Sequence, residues 1–288
     1  MVSPVKPEWL KGSVPDPAAL ARMKELVDGL RLHTVCESAH CPNLGNCFGR
    51  GVATFMILGN VCTRSCTFCA VEHGWPAPPD ASEPEHLVAA VKKLGLRHVV
   101  ITSVTRDDLP DGGAYQFARV TEAIRSYDPR VTVEVLIPDF QGSLSALELV
   151  VASYPTIINH NVETVPRLYP QVRPQANYER SIQLLKNVKS MGGSLLTKSG
   201  LMLGLGESRE EVIQVMADLR EVDCDFLTIG QYLRPSLNHH EVARFVPPAE
   251  FEEYREIGAA MGFSGVASAP LVRSSFQADK MLEGISLP

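Results

Sequence analysis

Two groups of three cysteines, Cys36, Cys41, Cys47 and Cys62, Cys66, Cys69, are the residues of this chain best suited to chemistry. The second group lies in Gly59-Asn60-Val61-Cys62-Thr63-Arg64-Ser65-Cys66-Thr67-Phe68-Cys69, a C-x3-C-x2-C spacing with no fourth cysteine close by. Three thiolates can hold three irons of a 4Fe-4S cluster, and because each iron prefers four ligands, one iron stays open to bind a substrate. Catalytic zinc sites follow the same logic, whereas structural zinc wants four protein ligands and only His73 is near enough in sequence to add one. A zinc site and three unrelated core thiols are therefore the alternatives to a cluster. Arg64, inside the loop, reads either as a counter-charge to a cluster or as a solvated cation.

Six of the seven cysteines fall between positions 36 and 69, a local device rather than a disulfide framework spread over a fold. In a reducing cytosol such clustering points to metal. Cys224, apart from both groups, reads as a buried structural thiol. His239-His240 has no acidic or thiol partner at a set spacing and reads as solvated or partner-facing. Arg180, Lys186 and Lys189 share a helix that could meet an acidic partner or simply present a polar face.

The elements that must position these residues alternate. Asp16-Pro17 opens a helix over Ala18 to Leu32, and Thr54 to Leu58 is the first strand candidate. Ser82-Glu83-Pro84-Glu85 has the pattern of a capping box opening a helix to about Leu94, and Arg97 to Thr102 follows as an apolar strand. Helices near Gly113–Tyr127, Ser143–Ser153, Tyr178–Met191 and Ser208–Val222 each precede a strand, at Val131–Leu136, Thr156–His160, Leu195–Leu203 and Phe226–Ile229 in the same order. A last helix near Pro248 to Met261 runs into a tail. Six continuously apolar strands separated by helices predict an α/β fold with a parallel sheet covered on both faces, as a β/α barrel or partial barrel, or a doubly wound open sheet. In a barrel the site is built at the C-terminal strand ends, so the loop after the first strand, which carries Cys62, Cys66 and Cys69, is where chemistry is expected.

With 288 residues, 45% hydrophobic and 21% charged, the chain reads as one large globular domain. A net charge of -6 argues against a dedicated nucleic-acid binder. No stretch approaches the ~20 apolar residues of a membrane span, and Met1 to Pro7 lacks a signal-peptide core, so no membrane association and a cytoplasmic location are expected.

The C-x3-C-x2-C loop, with an aromatic residue before its last cysteine and a strand in front, resembles the signature of the radical S-adenosylmethionine (SAM) superfamily. Upstream, Cys36-Glu37-Ser38-Ala39-His40-Cys41-Pro42-Asn43-Leu44-Gly45-Asn46-Cys47 gives C-x4-C-x5-C. With Arg273-Ser274-Ser275-Phe276 near the end, this resembles the lipoyl synthase family, whose motif there is Arg-Ser-Ser-Tyr. Phe276 departs from the tyrosine and leaves both serines in place. The similarity runs from about Lys6-Pro7-Glu8-Trp9-Leu10 to Met281, through Thr102 to Leu109, Asn159 to Thr164 and Thr228 to Pro235.

The resemblance implies a partial (β/α)6 barrel of the radical SAM type over 51–262, with an N-terminal extension, 1–50, and a C-terminal tail, 263–288. It implies two 4Fe-4S clusters. Cys62, Cys66 and Cys69 hold the one that binds SAM and cleaves it to a 5′-deoxyadenosyl radical, and Cys36, Cys41, Cys47 and Ser275 hold an auxiliary one. The implied reaction inserts sulfur from the auxiliary cluster at C6 and C8 of an octanoyl group on a carrier lysine, consuming one SAM per position. A saturated C–H bond offers no acidic proton or leaving group, so a cofactor-borne radical is the fitting reagent. Ser275 would supply a hard oxygen ligand, more easily displaced from iron than thiolate when sulfide is drawn out.

Implied SAM contacts are Phe68, Ser103, Asn161, Glu163, Arg173, Lys198 and Gly204. Asn161, Glu163 and Lys198 sit near predicted strand ends, as contacts or as ordinary surface residues, and Arg173 could grip a carboxylate or form a loop salt bridge. The run Gly200 to Glu207 reads as a turn needing positive φ or as a place of close backbone approach. Implied partners are an octanoylated lipoyl carrier domain or glycine cleavage H protein, a reductant such as flavodoxin or ferredoxin, and an iron–sulfur cluster donor. A biotin-synthase-like enzyme and a two-cluster electron carrier are the alternatives, although a carrier would normally close each cluster with four protein ligands.

Overall fold

The computed structural model describes residues 6–11 and 16–282. The segment 1–5, part of the start that reads as lacking a signal core, and residues 283–288 of the expected tail lie outside the described residues.

Helix α1 (Pro17–Gly29) begins with the Asp16 carboxylate accepting the Ala18 N–H, as the Asp-Pro pair predicts. It leads into β1 (His33–Thr34) and two short helices, α2 (Val35–Ser38) and α3 (Leu44–Gly49), that carry Cys36 and Cys47. Strand β2 (Thr54–Ile57) follows, then a small ribbon of β3 (Val61–Cys62) and β4 (Glu72–His73) inside the second cysteine loop. The alternation then runs α4 (Glu83–Leu94), β5 (His98–Ser103), α5 (Ala114–Tyr127), β6 (Thr132–Leu136), α6 (Leu144–Ala152), β7 (Ile157–Asn159), α7 (Tyr169–Val172) and α8 (Tyr178–Gly192). It ends with β8 (Leu196–Leu203), α9 (Arg209–Glu221), β9 (Phe226–Gln231), α10 (Pro248–Ala260) and β10 (Gly265–Ser268).

Eight strands form one sheet in the order β1-β2-β5-β6-β7-β8-β9-β10. All neighbours are parallel except β1, which runs antiparallel to β2. The two edge strands do not pair with each other, so the barrel is open. All six expected strands are present. β10 extends the sheet within the stretch expected to be tail, because Gly-Val-Ala-Ser is too short and too weakly apolar to announce a strand; pairing with β9 creates it.

Two local expectations change. Ser82 does not cap α4: its hydroxyl goes to Asp80, and the Glu83 carboxylate turns inward to accept the Leu58 N–H (3.0 and 3.1 Å) and the Gln116 amide (2.8 Å). The capping box is at α9 instead, between Ser208 and Glu211. The sheet is also not apolar on both faces. Phe55, Ile57, Val99, Ile101, Val133 and Val135 pack into the helix-covered core, whereas the alternate positions carry His98, Thr102, Glu134 and Lys198. Lys198 of β8 reaches Glu134 of β6 across the intervening β7, which places both on the concave face.

Candidate active site

The second cysteine loop leaves β2 through a left-handed corner, Leu58 (φ 68°) and Gly59 (φ 88°). The corner is pinned by the Glu83 carboxylate on the Leu58 N–H and by Arg106 donating to the Leu58 carbonyl (3.2 Å). Within the loop, Cys62 Sγ receives backbone N–H groups from Arg64 (3.4 Å) and Thr105 (3.3 Å). Thr67 N–H donates to the Val172 carbonyl (3.0 Å), and the Thr67 carbonyl accepts the His240 N–H (2.8 Å). Loops after β5, β7 and β9 thus hold the cysteine loop in place.

Arg64 is neither solvated nor a free counter-charge. It is buried, with Nε on Asp107 (2.6 Å) and Nη2 on Asp139 (2.7 Å), and Arg180 also binds Asp139 (3.1 Å). Burial would raise the Asp139 carboxyl, but Arg64, with the Gln141 N–H, holds it well below its usual range. Two of the three helix cations are therefore engaged, since Lys189 pairs with Asp225 at 2.5 Å. His239, half-buried, contacts the Cys69 carbonyl (3.1 Å) rather than solvent alone. Cys224 is fully buried, as expected of a structural thiol.

All seven cysteines are free thiols. Burial pushes Cys69 up to about 12 and also raises Cys66. Burial likewise pushes Cys36 up to about 12 and Cys47 to about 11. Burial pushes the structural thiol Cys224 up to about 12 as well, so it is the grouping of the other six, not the shift, that points to metal. Among the described residues, no three His, Cys, Asp or Glu side chains converge on a point suited to a single metal ion. A polynuclear cluster, whose ligands bind separate irons, makes no such demand.

The loop after β7 brings three expected SAM contacts together. Asn161 Nδ2 donates to Glu163 Oε1 (3.1 Å), and Arg173 Nη1 donates to the Asn161 and Val162 carbonyls (3.1 and 3.2 Å) while lying over the Tyr169 ring. Burial raises the Glu163 carboxyl, opposed by Arg173, Asn161 and Arg273. Arg173 Nε is buried without a hydrogen-bond partner among the described residues, so the guanidinium keeps a donor in reserve for a ligand. Ser103, ending β5, likewise has a buried hydroxyl without a partner, and Phe68 packs half-buried against the core.

Lys198 does not join this group. Its side chain is fully buried, with Nζ on both Glu134 oxygens (3.0 and 3.1 Å), because an ammonium inside the barrel needs a counter-ion. Gly204 (φ 95°) has a packing reason of its own: a Cβ there would meet Gln231 Nε2 at 2.2 Å and the Arg244 carbonyl at 2.5 Å. The turn it opens is closed by the Glu207 carboxylate on the Gly204 and Leu205 N–H groups (2.6 and 2.9 Å).

The first triplet lies at another wall of the barrel. Cys36, Cys41 and Cys47 line one cavity of about 280 Å³ together with Arg273, Ser275 and Phe276. The tail reaches it by running along β9. Ala269 N–H donates to Ile229, Gln231 N–H donates to Pro270, and the Leu271 carbonyl accepts the Asn43 amide (2.7 Å). At Gly230 the Val272 carbonyl comes to 2.1 Å of where a Cβ would be, so only glycine admits this path. Three thiols and one hydroxyl in a single cavity suit a cluster with three sulfur ligands and one oxygen ligand.

Sequence reasoning did not single out Glu83, Arg106, Asp107, Asp139 or Glu134 as supports of the site. Arg106, Asp107 and Asp108 stand out only as a charged run directly after an apolar strand. Glu134, a lone acid inside the apolar run Val131–Leu136, is the one clear signal of a polar barrel interior.

The open parallel barrel with three cysteines directly after β2 defines a member of the radical SAM superfamily, and the model of that superfamily matches residues 56–219. The methylornithine synthase structure has the same fold, with a TM-score of 0.54 at 13% identity over 93% of this chain and 82% of that one. The chain belongs to the lipoyl synthase family. The N-terminal domain of lipoyl synthase matches residues 3–41. A lipoyl synthase of Caldanaerobacter subterraneus subsp. tengcongensis is 59% identical over 95% of this chain and 96% of its own length, and one of Rubrobacter xylanophilus is 56% identical over 96% and 87%. The biotin-synthase-like and electron-carrier alternatives give way to this assignment.

Proposed function

We propose that this lipoyl synthase family member inserts sulfur at C6 and C8 of an octanoyl group carried on a lysine, with two 4Fe-4S clusters and SAM. The observation that carries the reading is the single cavity shared by Cys36, Cys41, Cys47 and Ser275, three of them from the N-terminal extension and one from the tail. Cys62, Cys66 and Cys69 would hold the SAM-binding cluster and the cavity residues the auxiliary one. When bound, these groups supply the radical and the sulfur.

The chain's own residues supply position and exclusion. Glu163 and Arg173, opposite charges at the mouth of the loop after β7, suit the ammonium and carboxylate of SAM. Ser103 and Asn161 present polar atoms without partners among the described residues, Oγ and Oδ1, for further contacts. Buried side chains line the barrel and would limit what a radical formed there can meet. A division into extension 1–50, barrel 51–262 and tail 263–288 follows the same reading. An octanoylated lipoyl carrier domain or glycine cleavage H protein as substrate, and flavodoxin or ferredoxin as reductant, complete it. No described helix is long and apolar enough to cross a membrane.

The test is anaerobic reconstitution followed by SAM, a reductant and an octanoyl-lysyl peptide, with mass analysis of the peptide. A gain of two sulfurs is expected. No gain with both clusters present overturns the reading. Cys66→Ala should abolish SAM cleavage, whereas Cys41→Ala should still cleave SAM yet add no sulfur.

A further inference from the structure

One side chain ties the loop after β7 to the tail that carries Ser275. Asn161, buried on the loop after β7, uses both protons of its amide: one goes to Glu163 Oε1 (3.1 Å) and one to Ser274 Oγ (2.7 Å). A carboxylate can only accept, so the contact with Glu163 fixes which end of the amide is Nδ2. The backbone of Asn161 is held as well, because Arg173 Nη1 donates to its main-chain carbonyl. Gly200 leaves it room: a Cβ there would meet Asn161 Oδ1 at 2.9 Å and Thr228 Oγ1 at 2.5 Å. Ser274 directly precedes Ser275, which lines the cavity of the first triplet. Ser275 itself makes no side-chain hydrogen bond among the described residues, so its place depends on how its neighbours are held.

We propose that Asn161 and Ser274 form a latch that positions Ser275: the Asn161 amide anchors the tail one residue before the oxygen ligand, and so sets how firmly the auxiliary cluster is held. This rests on the reading of Ser275 as an auxiliary-cluster ligand. Ser274 and Asn161 are positioning residues and touch neither iron nor sulfur. The hydrogen bond joins a neutral donor to a neutral acceptor in a part-buried setting, and its loss leaves one amide N–H unsatisfied or one hydroxyl unheld. Replacing Asn161 by Asp would also set a second carboxylate against Glu163.

The experiment uses iron-57 holoenzyme of the native chain and of Ser274→Ala, Ser274→Thr, Asn161→Ala and Ser275→Ala. The readouts are the Mössbauer component of the oxygen-ligated iron and the rate at which half the iron is lost to a chelator. Ser274→Ala and Asn161→Ala should shift that component and speed the loss about tenfold, the effect of one hydrogen bond. Ser274→Thr, which keeps the hydroxyl, should behave as the native chain. Ser274→Ala removes a single oxygen from the tail and reports on the latch even where Asn161→Ala impairs folding. If Ser275→Ala changes the component and neither latch variant does, the latch is wrong and the ligand reading stands. If Ser275→Ala itself changes nothing, the ligand reading falls and the latch with it. Loss in Ser274→Thr equal to that in Ser274→Ala also overturns the latch.

Discussion

His160 precedes Asn161 by one residue, and its imidazole is committed on both sides: Nδ1 to the Ile137 carbonyl at 2.8 Å and Nε2 to Ser181 Oγ at 2.9 Å. The carbonyl can only accept, so Nδ1 carries the proton and the Ser181 hydroxyl donates to Nε2 in the neutral ring. Burial lowers its pKa to about 4, helped by the positive charge of Arg173. An unfolded histidine takes up its proton near pH ~6.5. Between the two values the unfolded chain binds more protons, so this contribution to stability is complete above ~6.5 and declines as pH falls toward 4, by up to about 3 kcal/mol. Denaturant titrations from pH 7 to 4 should show that slope, and His160→Gln should flatten it. The same scale explains the cysteines. Their types and spacing could be read directly, but that burial raises Cys36, Cys47, Cys66 and Cys69 could not, because burial belongs to the packed chain.

Strand β9 and the tail meet at Gly230, where a missing side chain is a structural requirement. Gly230→Ala would drive a Cβ into the Val272 carbonyl, displacing the segment that carries Arg273, Ser274 and Ser275. The strand can still pair with β8 and the barrel can still form. We expect this variant to keep the iron of the second triplet, to lose that of the first, and to be destabilised by about 1–3 kcal/mol. Iron counting, the SAM-dependent spectral change and a thermal melt check the three parts. The elements themselves were largely legible, since helical spacing and apolar runs are local. The exceptions have local reasons too. Ser82 loses its capping role because Asp80 competes for its hydroxyl and Glu83 is drawn to Leu58, and β10 exists only by leaning on β9.

Across the whole molecule the barrel interior holds a charge pair with no exposed atoms to dilute it. Lys198 binds both oxygens of Glu134, Asn159 donates to the same carboxylate at 3.0 Å, and His98 lies 3.7 Å from it. Burial would raise the Glu134 carboxyl, but Lys198 and His98 bring it down to about 2. Lys198→Met alone leaves a buried carboxylate uncompensated and should cost about 3–5 kcal/mol, whereas adding Glu134→Met should recover most of the loss. Anaerobic denaturation of the two variants tests this. A single variant as stable as the native chain would mean that water or another cation reaches Glu134. The pair also shows what the sequence did not reveal about Lys198. A lysine near a strand end suggests a ligand contact, but strand alternation and a neighbour two strands away turn it inward.

The sequence by itself determined the two cysteine triplets, the spacing within each, the order of strands and helices, and hence the kind of chemistry to expect. Those are short-range properties, set by neighbours within a few positions. The tertiary structure alone decided which distant pieces share a site. Asn43 and Leu271 are 228 positions apart and hydrogen-bonded, and Ser275 faces the first triplet only because the tail is admitted at Gly230. Convergence of that kind depends on sheet order and on where a backbone finds room, and neither is encoded in any one segment.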